Sequence, residues 1–203
     1  MNSIVESKQS KNCKSWWPLG LSGLVIGAAI VAYKSFYRRS IILDKTKCVV
    51  IITGCDSGFG YLTAIELSKQ GYHVIATCMT VDGAERLNNI VAAVVYCDVT
   101  KEECILELSS VVNHYMEENK EKKLKLWSLI NNAGICTTGY IDWLPMEVYR
   151  KVMEVNYFAP IRLTKEFLPL LKGAKGARIV NLSSLAGFLS GHFMGPYSAS
   201  KHA

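Results

Sequence analysis

The sequence predicts an α/β protein with a doubly wound parallel sheet of about five strands, preceded by an N-terminal transmembrane helix. Three observations carry this. Val/Ile-rich runs recur between helix-length segments from Cys48 onward, a glycine cluster separates the first run from the first helix, and a long uncharged stretch precedes both. Apolar runs without polar alternation suit strands covered on both faces by helices, the usual situation of a parallel sheet. The 203 residues, half of them apolar, have room for one core of ordinary domain size.

In chain order, residues 1–15 form a basic segment and residues 16–37 a candidate membrane anchor. The 18 residues from Trp16 to Tyr33 carry no charge, and as a helix they would span roughly 27 Å, close to the hydrocarbon thickness of a bilayer. Trp16 and Trp17 at one end and Tyr33, Phe36 and Tyr37 at the other resemble the aromatic belts of a spanning helix. A cleaved signal peptide is the rival reading, but aromatic and basic residues, rather than a small-residue cleavage site, close the stretch. Residues 38–47 read as a basic linker. Five basic residues follow the span and three precede it, which points to a cytosolic catalytic domain by the positive-inside rule.

The domain proper is expected over 48–203. Strand Cys48–Thr53 is followed by a helix over about 58–70, ended by Gly71. Strand 73–78 is followed by a helix through 89, and strand 91–97 by a helix over about 101–119 that a Thr100-x-x-Glu103 capping box would start. Strand 124–130, a long helix within 145–172 and strand 177–183 complete the series. The charged run 117–125 reads as a solvated turn.

The net charge of +6 resides wholly in residues 1–47, which hold eight Lys/Arg against Glu6 and Asp44, whereas the rest is neutral with 15 of each sign. A nucleic-acid partner is not expected, since phosphate binding needs a basic face on the folded domain. Seven cysteines without paired spacing fit neither a zinc site nor a disulfide framework. No metal is expected.

The run Cys48–Thr53 leads into Gly54-x-x-x-Gly58-x-Gly60 and then a helix. Glycines there let backbone N–H groups and a helix N-terminus approach a pyrophosphate. With Asp98-Val99 after the third strand and Asn131-Asn132-Ala133-Gly134 after the fourth, the chain resembles the short-chain dehydrogenases/reductases from about Cys48 to its last residue. The resemblance implies a Rossmann-type fold. It also implies a nicotinamide dinucleotide site comprising Gly54, Ser57, Gly58, Phe59, Gly60, Asp98, Val99, Asn132, Ala133 and Gly134, with Tyr197 and Lys201. A 2'-phosphate is ordinarily met by Arg or Lys near the glycine turn or after the second strand. Here Asp56-Ser57 and Thr77-Cys78-Met79-Thr80 offer no cation, so NAD is expected over NADP. The ribose-binding Asp or Glu usual at the end of the second strand is also missing, which keeps NADP open.

Tyr197 and Lys201 stand four residues apart, on one face of a helix. A cation beside a phenol favours phenolate, whose unperturbed pKa is about 10, and so suits it to act as a base. The resemblance supplies the remainder of the catalytic set, Asn156, Ser184, Tyr197 and Lys201. It implies that Tyr197 exchanges the substrate proton, Ser184 holds the substrate oxygen, and Lys201 tunes Tyr197 and binds the nicotinamide ribose. Pro160, four residues after Asn156, cannot donate to the Asn156 carbonyl and should kink its helix. The freed carbonyl either holds a water that exchanges protons with Lys201 or is a by-product of wrapping the helix around the sheet.

Further segments, among them Asp82-Gly-Ala-Glu-Arg-Leu87 and Phe167-Leu-Pro-Leu-Leu171, are similar to the branch containing retinol dehydrogenases, 17β-hydroxysteroid dehydrogenase type 6-like enzymes and D-3-hydroxybutyrate dehydrogenase. That similarity implies a lipophilic alcohol or ketone as substrate, a retinoid or steroid first and 3-hydroxybutyrate second. It implies an endoplasmic-reticulum membrane location, with mitochondria as the alternative, and a homo-oligomer in a complete form. Members of ordinary length continue beyond the position of Ala203 through two more strands and a substrate-binding loop. The chain is therefore expected to be either an incomplete record of an active enzyme or a truncated product that at most binds cofactor or a partner subunit.

Overall fold

The computed structural model describes Gly27, Ala29, residues 31–33 and residues 44–203. The chain falls into two units, Met1–Ile42 and Leu43–Ala203. In the first, the described residues are helical and exposed. Among the described residues no helix is long and apolar enough to cross a membrane, and most of the expected anchor, 16–37, lies outside them.

The second unit is a five-stranded sheet. Its elements in order are β1 (Cys48–Ile52), α1 (Gly58–Lys69), β2 (His73–Cys78), α2 (Val81–Leu87), β3 (Ala93–Tyr96), α3 (Glu102–Glu118), β4 (Lys125–Asn131), α4 (Met146–Met153), a π turn (Glu154–Phe158), α5 (Ala159–Lys172), β5 (Arg178–Asn181) and α6 (Gly195–His202). The strands lie in the order β3-β2-β1-β4-β5, and all four pairings are parallel. The chain winds outward from β1 through β2 to β3, then returns to place β4 on the other side of β1. This reversal opens a crevice at the carboxyl ends of β1 and β4, where open α/β sheets bind ligands.

The core explains the unbroken apolar runs. Every residue of β1 is buried, yet successive side chains still point to opposite faces. Val49 and Ile51 join Leu108, Leu126, Leu163 and Phe167 under α3 and α5. Val50 and Ile52 join Ala64, Val74 and Leu87 under α1 and α2.

Some local expectations change. Thr100 does not start a capping box: its N–H and hydroxyl both donate to Asp98 Oδ1, at 2.9 and 2.8 Å, and α3 starts beyond it with Lys101 as an N-cap that makes no side-chain bond. The acid two residues upstream captures the hydroxyl the box would need. The segment 145–172 is not one regular helix, since the π turn interrupts it before Pro160, which then falls in the first turn of α5. β5 is exposed at all four positions, against the expectation of strands covered on both faces. It is an edge strand and bears Ile179 and Val180 at the surface. The helix after β2 stops at Leu87 rather than 89, because Asn88 already leaves helical geometry at ψ 136° and Asn89 follows it with a left-handed φ of 66°.

Candidate active site

The glycine turn is shaped by close approach. Gly54 has φ 69°, and a Cβ there would lie 2.8 Å from Ala133 Cα. A Cβ on Gly60 would collide with the Gly54 carbonyl oxygen and Asn132 Nδ2. Gly58 has open space around it but φ 59°, a conformation side chains rarely adopt. Here the turn is tied directly to the loop after β4. Thr53 Oγ1 accepts the Asn132 and Ala133 N–H groups at 3.1 and 3.0 Å, and Asn132 Nδ2 donates to the Thr53 and Gly54 carbonyls at 2.8 and 2.9 Å. Ser57 is the N-cap of α1 but makes no side-chain cap bond, so its hydroxyl is not committed to the helix end. Phe59 is 79% exposed.

A cleft of about 550 Å³ runs past this turn. Gly54, Ser57 and Phe59 line it together with Asp98, Val99, Asn132, Ala133 and Gly134. Glycines that leave room for backbone, a helix N-terminus and a cleft of this size fit a dinucleotide. The end of β2 also departs from the sequence reading. Met79 and Thr80, directly after that strand, supply no acid, yet the Asp56 carboxylate stands there, bonded to both. Burial pushes its carboxyl up, but the bonds from the Thr80 hydroxyl and the two N–H groups outweigh this and hold it below the usual carboxylate range.

A second cleft, of about 400 Å³, brings Ser184, Tyr197 and Lys201 together with Phe59, Asn132 and Gly134. Tyr197 and Lys201 ride on α6, with the ammonium 5.8 Å from the centre of the Tyr197 ring. Lys201 Nζ donates to the Leu182 carbonyl at 2.8 Å, and burial holds its ammonium below the usual lysine value. Ser184 caps a short turn at Leu185–Gly187, its Oγ accepting the Ala186 N–H at 3.1 Å. Asn156 is in the middle of the π turn. Its Oδ1 accepts the Ile135 N–H at 2.8 Å, and its Nδ2 donates to the Ile135 carbonyl and to Ser200 Oγ, both at 2.9 Å. It thus ties the β4 loop to α6. A Cβ on Gly134 would sit 3.2 Å from Asn156 Oδ1 and 3.6 Å from Lys201 Nζ, so all three meet at one point.

The roles of several contributors were not legible in the sequence. Thr53 acts through a hydroxyl at the end of an apolar run. Ile135 and Leu182 act through backbone groups that any residue carries. Gly187 is needed because a Cβ would collide with the Lys201 carbonyl.

The chain belongs to the short-chain dehydrogenase family, whose model matches residues 48–203. Among its relatives, it is 38% identical over 159 residues to the mitochondrial D-beta-hydroxybutyrate dehydrogenase of Bos taurus, covering 75% of this chain and 45% of the relative. It is 39% identical over 158 residues to retinol dehydrogenase 7 of Mus musculus, covering 76% and 48%. It is 39% identical over 171 residues to 17-beta-hydroxysteroid dehydrogenase type 6 of Bos taurus, covering 82% and 52%. The chain spans about half the length of these curated relatives. Among solved structures, a short-chain dehydrogenase from Streptomyces avermitilis matches with a TM-score of 0.67 at 28% identity, covering 79% of this chain and 58% of that one. A 4-hydroxyisoleucine dehydrogenase complexed with NADH matches with a TM-score of 0.57 at 27% identity, covering 76% and 63%.

Proposed function

We propose that the protein interconverts an alcohol and its carbonyl on a lipophilic substrate, a retinoid or hydroxysteroid, using NAD(H), with Tyr197 as general acid/base. The observation that carries this reading is the convergence of Ser184, Tyr197 and Lys201 on one cleft with the Asn132–Gly134 loop. Gly54, Gly58, Gly60, Asn132 and the start of α1 would hold the dinucleotide, with Asp98 and Val99 beside its adenine. When bound, the nicotinamide supplies the hydride chemistry. Ser184 would hold the substrate oxygen and Tyr197 would give or take its proton. Asn156 would keep the β4 loop and α6 in register. With Pro160 and Lys201 it also lines a further cleft of about 400 Å³, which supports a role for the Asn156 carbonyl, to which Pro160 cannot donate, in holding water on the path to Lys201.

Relatives acting on retinol and hydroxysteroids favour a lipid substrate, and the uncharged stretch 16–33 favours a single-pass anchor in the endoplasmic reticulum with a cytosolic catalytic domain. A homo-oligomer is part of the same proposal. The second reading, a mitochondrial 3-hydroxybutyrate dehydrogenase, is favoured by the relative of that name at 38% identity. The test is NADH formation from retinol, an androstane alcohol and 3-hydroxybutyrate by the purified protein and its Tyr197→Phe variant. Turnover should be highest on one of the first two and fall by about 10²-fold or more in the variant, the range in which general acid/base catalysis contributes. Preference for 3-hydroxybutyrate would establish the second reading, and full activity of the variant would overturn the assignment of Tyr197.

A further inference from the structure

A fold of this kind ordinarily meets the adenosine ribose at the end of β2, a free 2'-hydroxyl through an Asp or Glu and a 2'-phosphate through an Arg. This chain has neither residue in that stretch. Its carboxylate arrives from the glycine turn instead. Asp56 Oδ1 accepts the Thr80 hydroxyl at 2.7 Å, the Thr80 N–H at 2.8 Å and the Met79 N–H at 3.0 Å, and Oδ2 shares the Met79 N–H at 3.0 Å. Successive N–H groups converging with a hydroxyl make the kind of nest that binds anions. The anion in it is the protein's own. Asp56 and Met79 both line the cleft that Gly54, Asp98 and Val99 share, so the filled nest faces the place where a dinucleotide would lie.

The cation bonded to this turn, Arg86, is already engaged. Arg86 donates from Nη2 to the Asp56 carbonyl at 2.6 Å, pairs with Asp82 at 3.2 Å and lies 5.3 Å from the centre of the Tyr61 ring.

We propose that Asp56 is a specificity-determining residue, which by filling the donor nest after β2 with a fixed negative charge makes the cleft accept a ribose 2'-hydroxyl and reject a 2'-phosphate. The inference rests on the dinucleotide reading above and goes beyond it by assigning the choice between the two cofactors to one side chain. The chemistry is asymmetric. A carboxylate oxygen has several lone-pair sites, and Oδ2 accepts one shared N–H, so it retains capacity for a ribose hydroxyl. A 2'-phosphate would bring like charge against it and find the three donors already taken. Without the carboxylate, the same donors would be vacant beside Arg86, a setting suited to phosphate.

The test is calorimetric binding of NAD+ and NADP+, and of 5'-ADP and 2',5'-ADP, to the wild-type protein, Asp56→Ala and Asp56→Asn. Wild type should bind NAD+ at least tenfold tighter than NADP+. Asp56→Ala should reduce or invert that ratio by tenfold or more, and the ADP pair should move in the same direction. Asp56→Asn keeps the shape and one acceptor of the side chain, and it should move the ratio at least threefold while preserving the fold. Variants that weaken both cofactors equally, at an unchanged ratio, would show that Asp56 merely ties the turn to β2 and would overturn the inference alone. Wild-type protein that binds neither cofactor would overturn the dinucleotide reading and this inference with it.

Discussion

At Gly60 the backbone of α1 passes so close beneath Gly54 that even a methyl group would collide with the Gly54 carbonyl and with Asn132 Nδ2. Gly58, two residues earlier, has open space and is constrained by its φ of 59° alone. The two glycines are therefore needed for different reasons, and substitution separates them. Gly58→Ala should cost about 1–2 kcal/mol, the strain of a left-handed residue, and leave the turn in place. Gly60→Ala should cost about 1–3 kcal/mol by overpacking and also push the Asn132 loop off the turn, abolishing nucleotide binding. Urea midpoints with nucleotide titrations check this, and a Gly60→Ala protein that binds NAD+ normally would refute the steric account. The same contrast explains what could be read in advance. Steric demands at Gly54, Gly58 and Gly60 and the four-residue spacing of Tyr197 and Lys201 are written in residue type. The carbonyl of Leu182 and the N–H of Ile135 are not, because every residue offers the same groups. Asp56 was visible as an acid, but its destination was not, since a contact across 23 residues depends on how β1 and β2 pair.

Between elements, the tie from the glycine turn to β2 is electrostatic as well as geometric. The hydrogen bonds to Asp56 hold its carboxyl below the ordinary value of 3.8 despite the opposing effect of burial. A carboxyl depressed in the folded state contributes stability that is present above its unfolded pKa and is lost as pH falls through the folded one. Wild type should therefore exceed Asp56→Asn in stability at pH 7, and the gap should close below about pH 4. Urea unfolding at both pH values measures it, and a gap that persists unchanged in acid would show the tie to be steric. At this scale the sequence is legible where apolar patterning governs, as in β1, α1 and β4. It is not where a side chain or an altered helical turn intervenes. Asp98 takes the hydroxyl a capping box would have used. The interruption expected at Pro160 is a π turn centred on Asn156, and such turns are frequent at functional sites. It carries the side chain that bonds both Ile135 and Ser200.

Across the whole unit Leu43–Ala203, alternation of apolar runs and helical segments sufficed to predict the parallel sheet. The edge position of β5 follows from the two further strands of ordinary-length family members, but the exposure of its faces was less legible, because an apolar run looks the same in sequence whether its faces are covered or not. The larger cleft draws its walls from both sides of the reversal in strand order: Cys97–Thr100 after β3, Asn132–Ile135 after β4, and Lys151, Glu154 and Val155 beyond it. These segments come together through the folded sheet, so a ligand bridging them binds the native state and has no equivalent site in the unfolded chain. Such a ligand at a hundred times its Kd stabilises by about 2.7 kcal/mol. For a unit of this size each kcal/mol raises Tm by about 2–4 °C, so saturating NAD+ should raise Tm by roughly 5–10 °C in a thermal melt. Gly60→Ala, which closes the cradle, should show no such rise, whereas Tyr197→Phe, outside the adenosine side of the cleft, should retain most of it. A wild-type Tm indifferent to NAD+ would mean that the cleft, however well shaped, is not a dinucleotide site. A rise equal in Gly60→Ala would place the nucleotide somewhere other than the glycine turn.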